Sequence, residues 1–322
     1  MAYEAEKSEA VAVAQRAAGL CESVRAAMAA TSVEKSDRSP VTVADFGSQA
    51  LICHHLSGRF GDPIVGEEDA ADLRKPENEA LLSSVRNYVA EAGLEGTADD
   101  VCEWIDRGNG AVSDRYWTLD PIDGTKGFLR NDQYAVALAL VEEGNVKVAV
   151  LACPALPLAE GGAEGTLMVA VQGEGTEMVP IHESAGGRVS VDTSGDASSY
   201  RFVESVESGH GNQELQSEVA RAVNIQAPSL RMDSQAKYAA VARGDAVLYL
   251  RLPSGNPDRY AEKIWDHAAG ALVVEEAGGT VTDMHGKPLD FGKAERLIDN
   301  QGVVVSNGAI HNDVIAALGR LA

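Results

Sequence analysis

The chain has 322 residues, 45% of them hydrophobic and 24% charged, which fits one large or two ordinary folded domains and excludes collagen-like and wholly disordered chains. No apolar window approaches the ~20 residues of a membrane-spanning helix, the longest run being Tyr134 to Val141, so no membrane partner is expected. Lys and Arg number 27 against 49 Asp and Glu, a net charge of −22; this field repels nucleic acid polymers, which need clustered cations, but tolerates a small anion bridged by metal ions. Most of these carboxylates read as a solvated coat. Cys21, Cys53, Cys102 and Cys153 form neither a CxxC pair nor a zinc pattern and imply reduced thiols. The first residues carry Glu4, Glu6 and Glu9 without a basic segment and apolar core, so no targeting peptide is expected and the cytoplasm is the expected location.

In chain order, Val13, Ala17, Leu20, Val24 and Met28 make the stripe of an amphipathic helix over residues 4–29. A second helix is predicted from near Thr42 to Leu56, entered through Ser39-Pro40. Asp62 to Gly66 reads as a short strand running into Glu67-Glu68-Asp69, and residues 78–92 as a further helix. Tyr116 to Leu119 is β-prone and is followed by a predicted loop, Asp120-Pro121-Ile122-Asp123-Gly124. Tyr134–Val141 and Val146–Leu151 form a predicted hairpin around Glu142-Glu143-Gly144-Asn145, extended by Leu167–Val171 and Gly175–Ile181. The Gly- and Ser-rich stretch Gly186–Ser199 is the expected boundary, dividing the chain into residues 1–195, which carry most of the candidate metal ligands, and 196–322. Beyond it, strands near Arg201–Ser205, Ala246–Leu250 and Gly302–Ser306 alternate with helices over Gln213–Val223, Ser234–Arg243, Asp266–Ala277 and Ala309–Leu321. The expected fold is α/β, with an α+β N-terminal part and an α/β C-terminal part.

Three segments carry candidate chemistry. Asp120-Pro121-Ile122-Asp123-Gly124-Thr125 sets two carboxylates three residues apart in a turn stiffened by Pro121, an arrangement suited to a hard cation that takes a few carboxylates and a substrate phosphate. Glu67-Glu68-Asp69 follows an apolar strand, and Asp266 opens the apolar segment Trp265-Asp266-His267-Ala268-Ala269-Gly270. Each alone has an ordinary explanation: a β-turn, a solvated acidic loop and a helix cap.

Together, and in this order, the three segments resemble the lithium-sensitive, magnesium-dependent phosphatases of the inositol monophosphatase superfamily, over nearly the whole chain from Ser39 to Asn307. The branch most similar is that of the 3'(2'),5'-bisphosphate nucleotidases. Its likeness rests on Ser39-Pro40-Val41-Thr42-Val43-Ala44-Asp45, on Thr125-Lys126-Gly127-Phe128-Leu129-Arg130, where inositol monophosphatases usually have Asn-Phe at Gly127-Phe128, and on Met232 to Tyr238, Tyr249 to Pro253 and Glu262 to His267.

The resemblance implies a layered αβαβα sandwich that hydrolyses the 3'-phosphate of adenosine 3',5'-bisphosphate, extending to 3'-phosphoadenosine 5'-phosphosulfate; a monomer is expected. The resemblance also implies two or three Mg²⁺ ions, with inhibition by Li⁺, held by Glu67, Asp120, Asp123 and Asp266 and the Ile122 carbonyl. By the same resemblance Asp45 and Thr125 orient and deprotonate water, Glu68 supports the first metal from behind its ligands, and Gly124, Thr125, His210, Ser234, Lys237, Arg251 and Asp266 meet the nucleotide. Two alternatives stand beside this reading: a phosphatase of the same superfamily acting on inositol phosphates or fructose 1,6-bisphosphate, and a catalytically silent nucleotide- or metal-binding protein.

Overall fold

A computed structural model describes residues 2–31, 39–158, 162, 165–207, 212–253 and 261–321. Two long helices, α1 (Glu4–Thr31) and α2 (Ser39–Arg59), come first, and then β1 (Ile64–Gly66), α3 (Glu79–Glu91), α4 (Ala98–Asp106) and β2 (Arg115–Asp123). The short α5 (Thr125–Arg130) leads into β3 (Ala135–Glu142), β4 (Asn145–Pro157), β5 (Gly165–Val171), β6 (Gly175–Pro180) and β7 (Gly187–Val189). The remainder is β8 (Phe202–Glu204), α6 (Gln213–Ala222), β9 (Leu230–Arg231), α7 (Ala236–Ala242), β10 (Leu248–Arg251), α8 (Ala268–Glu276), β11 (Thr280–Thr282), β12 (Val303–Ser306) and α9 (His311–Leu321).

Strands β1 to β7 make one seven-stranded sheet in sequence order, parallel only at β1–β2. The second sheet runs β11-β12-β10-β8-β9 and is mixed. Side-chain alternation along each strand then fixes the layers. On the first sheet, Leu138, Leu140, Val148 and Val150 join the core of α1 and α2, whereas Ala137, Ala139, Ala149 and Leu151 join that of α7 and α8. On the second, Tyr249, Val303 and Val305 face α7 and α8, and Leu248, Leu250 and Val304 face α6 and α9. The order is therefore helices, sheet, helices, sheet, helices: the αβαβα sandwich.

Helices α7 and α8 lie between two sheets, which explains their lack of a polar face. All seven residues of α7 and the first seven of α8 are buried, as expected of a helix enclosed on every side. The stripe of α1 is buried as predicted, with Val13, Ala17, Leu20 and Val24 in the core and Met28 packed against it.

Two local expectations need correction. Residues 120–123 are not a loop after the strand: β2 continues to Asp123, with its pairing to β3 irregular between Asp120 and Asp123. Pro121 has no N–H to donate and is tolerated there because β1 has already ended opposite Leu119. Asp266 does not begin α8, which starts at Ala268 with His267 as its cap. The stretch Gly186–Ser199 opens with β7, an edge strand of the first sheet, and the change of sheet falls between Val189 and Phe202. Two helices, α4 and α5, were not expected. A Thr97/Asp100 capping box opens α4.

Candidate active site

The carboxyl end of β2, the turn before α7, the end of β10 and the turn before α8 converge on one cavity of about 260 Å³. Glu67, Asp120, Ile122, Asp123, Gly124 and Thr125 line it from the first sheet, and Ser234, Lys237, Arg251 and Asp266 from the second half. Residues separated by almost two hundred positions thus share one wall. Gly124 has φ of 89°, a left-handed turn that aims α5 inward. A Cβ on Gly124 would sit 2.8 Å from Ser234 Cβ, and one on Gly127 would overlap the Gln133 carbonyl, so glycine at both positions lets the end of β2 and the start of α5 pack tightly onto their neighbours.

The cavity is crowded with acids. Asp120 is 2% exposed, its Oδ1 accepting the Ile122 N–H at 3.0 Å. Burial pushes its carboxyl well above the ordinary range, and Glu67, Asp123, Asp266 and Asp45 push in the same direction. Burial also raises Glu67 to about 7, with Glu68 adding to it; Glu67 opens to solvent on its cavity side and meets Asp120 through a side-chain hydrogen bond. Asp266 is raised by burial to about 7, with His267 and Arg251 opposing and Asp123 and Glu67 reinforcing. Among the described residues none of Glu67, Asp120, Asp123 and Asp266 has an ion-pair partner. Two acids bonded to each other amid further carboxylates must share protons, and a cation would displace those protons. These are oxygen donors only, the chemistry preferred by hard divalent cations, so the residues fit the metal expected from sequence.

Basic groups line the same cavity. Lys237 is 2% exposed, with Nζ 3.4 Å from the Met232 carbonyl and 5.2 Å from the Tyr249 ring centroid. It forms no ion pair among the described residues, and burial lowers its ammonium to about 8. Arg251 Nε donates to Glu262 Oε1 at 3.1 Å. Burial alone would raise Glu262, but His267 and Arg251 outweigh it and hold the carboxyl down at about 2. Glu262, Asp266 and His267 bring donor atoms within 4.8 Å of one another. Glu262 is committed to Arg251 and lies 3.4 Å from His267 Nε2, so the cation donors are better sought in the carboxylates facing the cavity.

Asp45 and Glu68 do not line the cavity. Asp45 is buried on α2, raised well above its ordinary value by burial and by the charges of Glu68 and Glu67. Glu68 is fixed through its backbone: its N–H donates to Gln49 Oε1 at 3.1 Å, and Gln49 Nε2 bonds both the Glu68 and Ile105 carbonyls. His210 lies outside the described residues. The cavity adds Lys126, Glu207, Asp233, Gln235, Tyr249 and His267. All but Glu207 fall inside segments that the sequence had already singled out. Glu207, which pairs with Lys126 at 3.0 Å and with Arg130, belongs to no recognisable motif.

A two-sheet αβαβα sandwich with a set of carboxylates gathered in one cavity at its strand ends is the frame of a metal-dependent phosphatase. The profile of the Inositol monophosphatase family matches residues 3–321, and the chain belongs to that family. It is 43% identical to a protein of Schizosaccharomyces pombe named 3'(2'),5'-bisphosphate nucleotidase, over 98% of this chain and 96% of that one. It is 41% identical to a protein of the same name from Emericella nidulans, over 100% and 99%. Among solved structures it is similar to CysQ from Bacteroides thetaiotaomicron, a bacterial member of the same family, with a TM-score of 0.63 at 21% identity over 95% of this chain and 98% of that one; this likeness concerns the fold. Among the described residues no helix is long and apolar enough to cross a membrane.

Proposed function

We propose that this protein is a Mg²⁺-dependent, Li⁺-sensitive phosphomonoesterase that hydrolyses the 3'-phosphate of adenosine 3',5'-bisphosphate, giving AMP and phosphate. One observation carries the reading: a single cavity gathers four carboxylates and a buried lysine, none of which forms an ion pair among the described residues. A nucleotide with two phosphates satisfies both, one phosphate reacting at the acids and the other held by Lys237 and Arg251. The full-length likeness to bisphosphate nucleotidases supports this choice over an inositol phosphate.

When bound, Mg²⁺ would supply charge neutralisation of the reacting phosphate and of the departing ribose oxygen. Glu67, Asp120, Asp123, Asp266 and the Ile122 carbonyl are the residues assigned to hold it. Thr125, at the first position of α5 and open to the cavity, orients the attacking water. By the family resemblance Asp45 is assigned to take the proton, and Glu68 to support Glu67 from behind. Arg251 grips phosphate oxygens with its planar fork, whereas Lys237 acts as a point charge. Ser234 and His210 are assigned to the adenosine. The protein is expected to act as a cytoplasmic monomer.

The test is phosphate release from adenosine 3',5'-bisphosphate and from inositol 1-phosphate, each with Mg²⁺, with chelator and with added Li⁺. Release from the nucleotide that needs Mg²⁺ and is suppressed by Li⁺ is expected; preference for the inositol ester would overturn the substrate, and release from neither would overturn the activity. Replacing Lys237 by Met should raise KM for the bisphosphate by about 10–100-fold, because a charge-assisted contact contributes about 1.5–3 kcal/mol. The unsubstituted protein should show the same rise in KM as pH passes about 8, where Lys237 loses its proton. A pH-independent KM between about pH 7 and about pH 9.5, together with an unchanged KM in the Met variant, would exclude Lys237 from phosphate binding.

A further inference from the structure

The carboxylates assigned to the metal sit on separate segments, Asp123 at the end of β2 and Asp266 in the turn before α8. Their separation depends on whatever ties those segments together. One residue touches both. Gln235, 1% exposed at the start of α7, donates its backbone N–H to Asp123 Oδ2 at 2.5 Å. Its side-chain Nε2 donates to the Trp265 carbonyl at 2.9 Å, next in sequence to Asp266. Its Oε1 accepts the Gly270 N–H at 3.0 Å, in the first turn of α8. Both ends of the amide and the backbone N–H are thus committed to the two ligand-bearing segments.

The local backbone is built for this tie. Ser234 has φ of 64°, in the left-handed region that non-glycine residues rarely occupy. Its hydroxyl accepts the Ala236 N–H at 3.1 Å, closing a turn that delivers the Gln235 N–H to Asp123. A neutral amide is also the right chemistry here. A Lys or Arg in its place would neutralise the carboxylates and compete with a cation, whereas Gln235 orients Asp123 through one oxygen and leaves the charge in place.

Building on the cation site proposed above, we infer that Gln235 is the positioning residue that sets the Asp123–Asp266 geometry, and with it the affinity for the divalent ion. It does not touch the reacting phosphate. Partners of this kind, which orient ligands without binding metal, typically change metal affinity by about 10–100-fold when replaced.

The experiment is Mn²⁺ binding in the absence of substrate, followed by calorimetry and by the paramagnetic signal of free Mn²⁺. Gln235→Leu should weaken binding about tenfold or more, and Gln235→Met, which fills the same space, serves as a second variant should the first not accumulate. Thr282→Val, which removes a buried hydroxyl bonded to His311 Nε2 at 2.9 Å on β11, controls for general loss of stability. It should lower the unfolding temperature of the metal-free protein yet leave Mn²⁺ affinity unchanged. Gln235 variants that bind Mn²⁺ within about twofold of the unsubstituted protein, or a Thr282→Val protein weakened as much as they are, would overturn the inference. An unsubstituted protein that takes up no Mn²⁺ would overturn the cation site itself, and the role of Gln235 with it.

Discussion

Replacing Asp120 by Asn should lower kcat/KM for adenosine 3',5'-bisphosphate about a thousandfold while leaving the fold intact. Asp120 is the most enclosed of the four carboxylates, and three others together with Asp45 press on it. Asn keeps its shape, and its carbonyl can still accept the Ile122 N–H that Asp120 Oδ1 now accepts at 3.0 Å. What disappears is one negative charge at the centre of the proposed cation site, and with it about 4 kcal/mol of transition-state stabilisation, three decades in rate. The metal-free variant should unfold at a higher denaturant concentration than the unsubstituted protein, because a crowded buried acid has been replaced by a neutral amide. Steady-state phosphate release and urea unfolding measure the two effects. A variant within tenfold of normal activity would remove Asp120 from the site, and one that is inactive but also unstable would show that Asp120 serves the fold.

The second large effect is a dependence of stability on pH that inverts when metal is added. Burial raises Asp266 and Glu67 to about 7, and raises Asp120 and Asp45 well above their ordinary values. Such groups keep their protons in the folded chain while the unfolded chain gives them up. Folding stability of the metal-free protein therefore falls as pH rises from about 4 to about 7. Each enclosed carboxyl contributes up to about 1.4 kcal/mol per pH unit across that window; Glu67, open to the cavity, contributes less because solvent screens it.

Glu262 acts in the opposite sense. Its carboxyl is held down at about 2, so its contribution is complete above the ordinary carboxylate range and is lost only as pH falls from about 4 toward 2. It does not mask the trend between 4 and 7. A divalent cation binds the deprotonated set, so added Mg²⁺ should raise the unfolding midpoint strongly at about pH 7.5 and little at about pH 5. Urea titrations at both values, with chelator and with Mg²⁺, give the comparison. A chelated protein equally stable at the two pH values, or a Mg²⁺ effect larger at the lower one, would contradict a cation site built from these acids.

The sequence by itself determined the chemistry on offer and most of the local structure. The 3.6-residue stripe of α1 and the β-prone runs of β3 to β6 depend on periodicity, which is written in neighbouring residues and appears in the fold where expected. The segments around Glu67, Asp120 to Thr125, Ser234 to Lys237, Arg251 and Asp266 were legible as short words, and each of these segments contributes residues to one cavity. Only the tertiary structure decided what each buried face packs against. Alternation along β3 shows that Leu138 and Ala139 point to opposite sides, but not that one side meets α1 and α2 and the other α7 and α8. The middle helix layer, the continuation of β2 through Pro121 and the late start of α8 follow from that packing. So do the burial of Asp45 outside the cavity and the three bonds of Gln235. Each depends on contacts between residues distant in sequence, and local propensity carries no record of which distant backbone group will lie within hydrogen-bond reach.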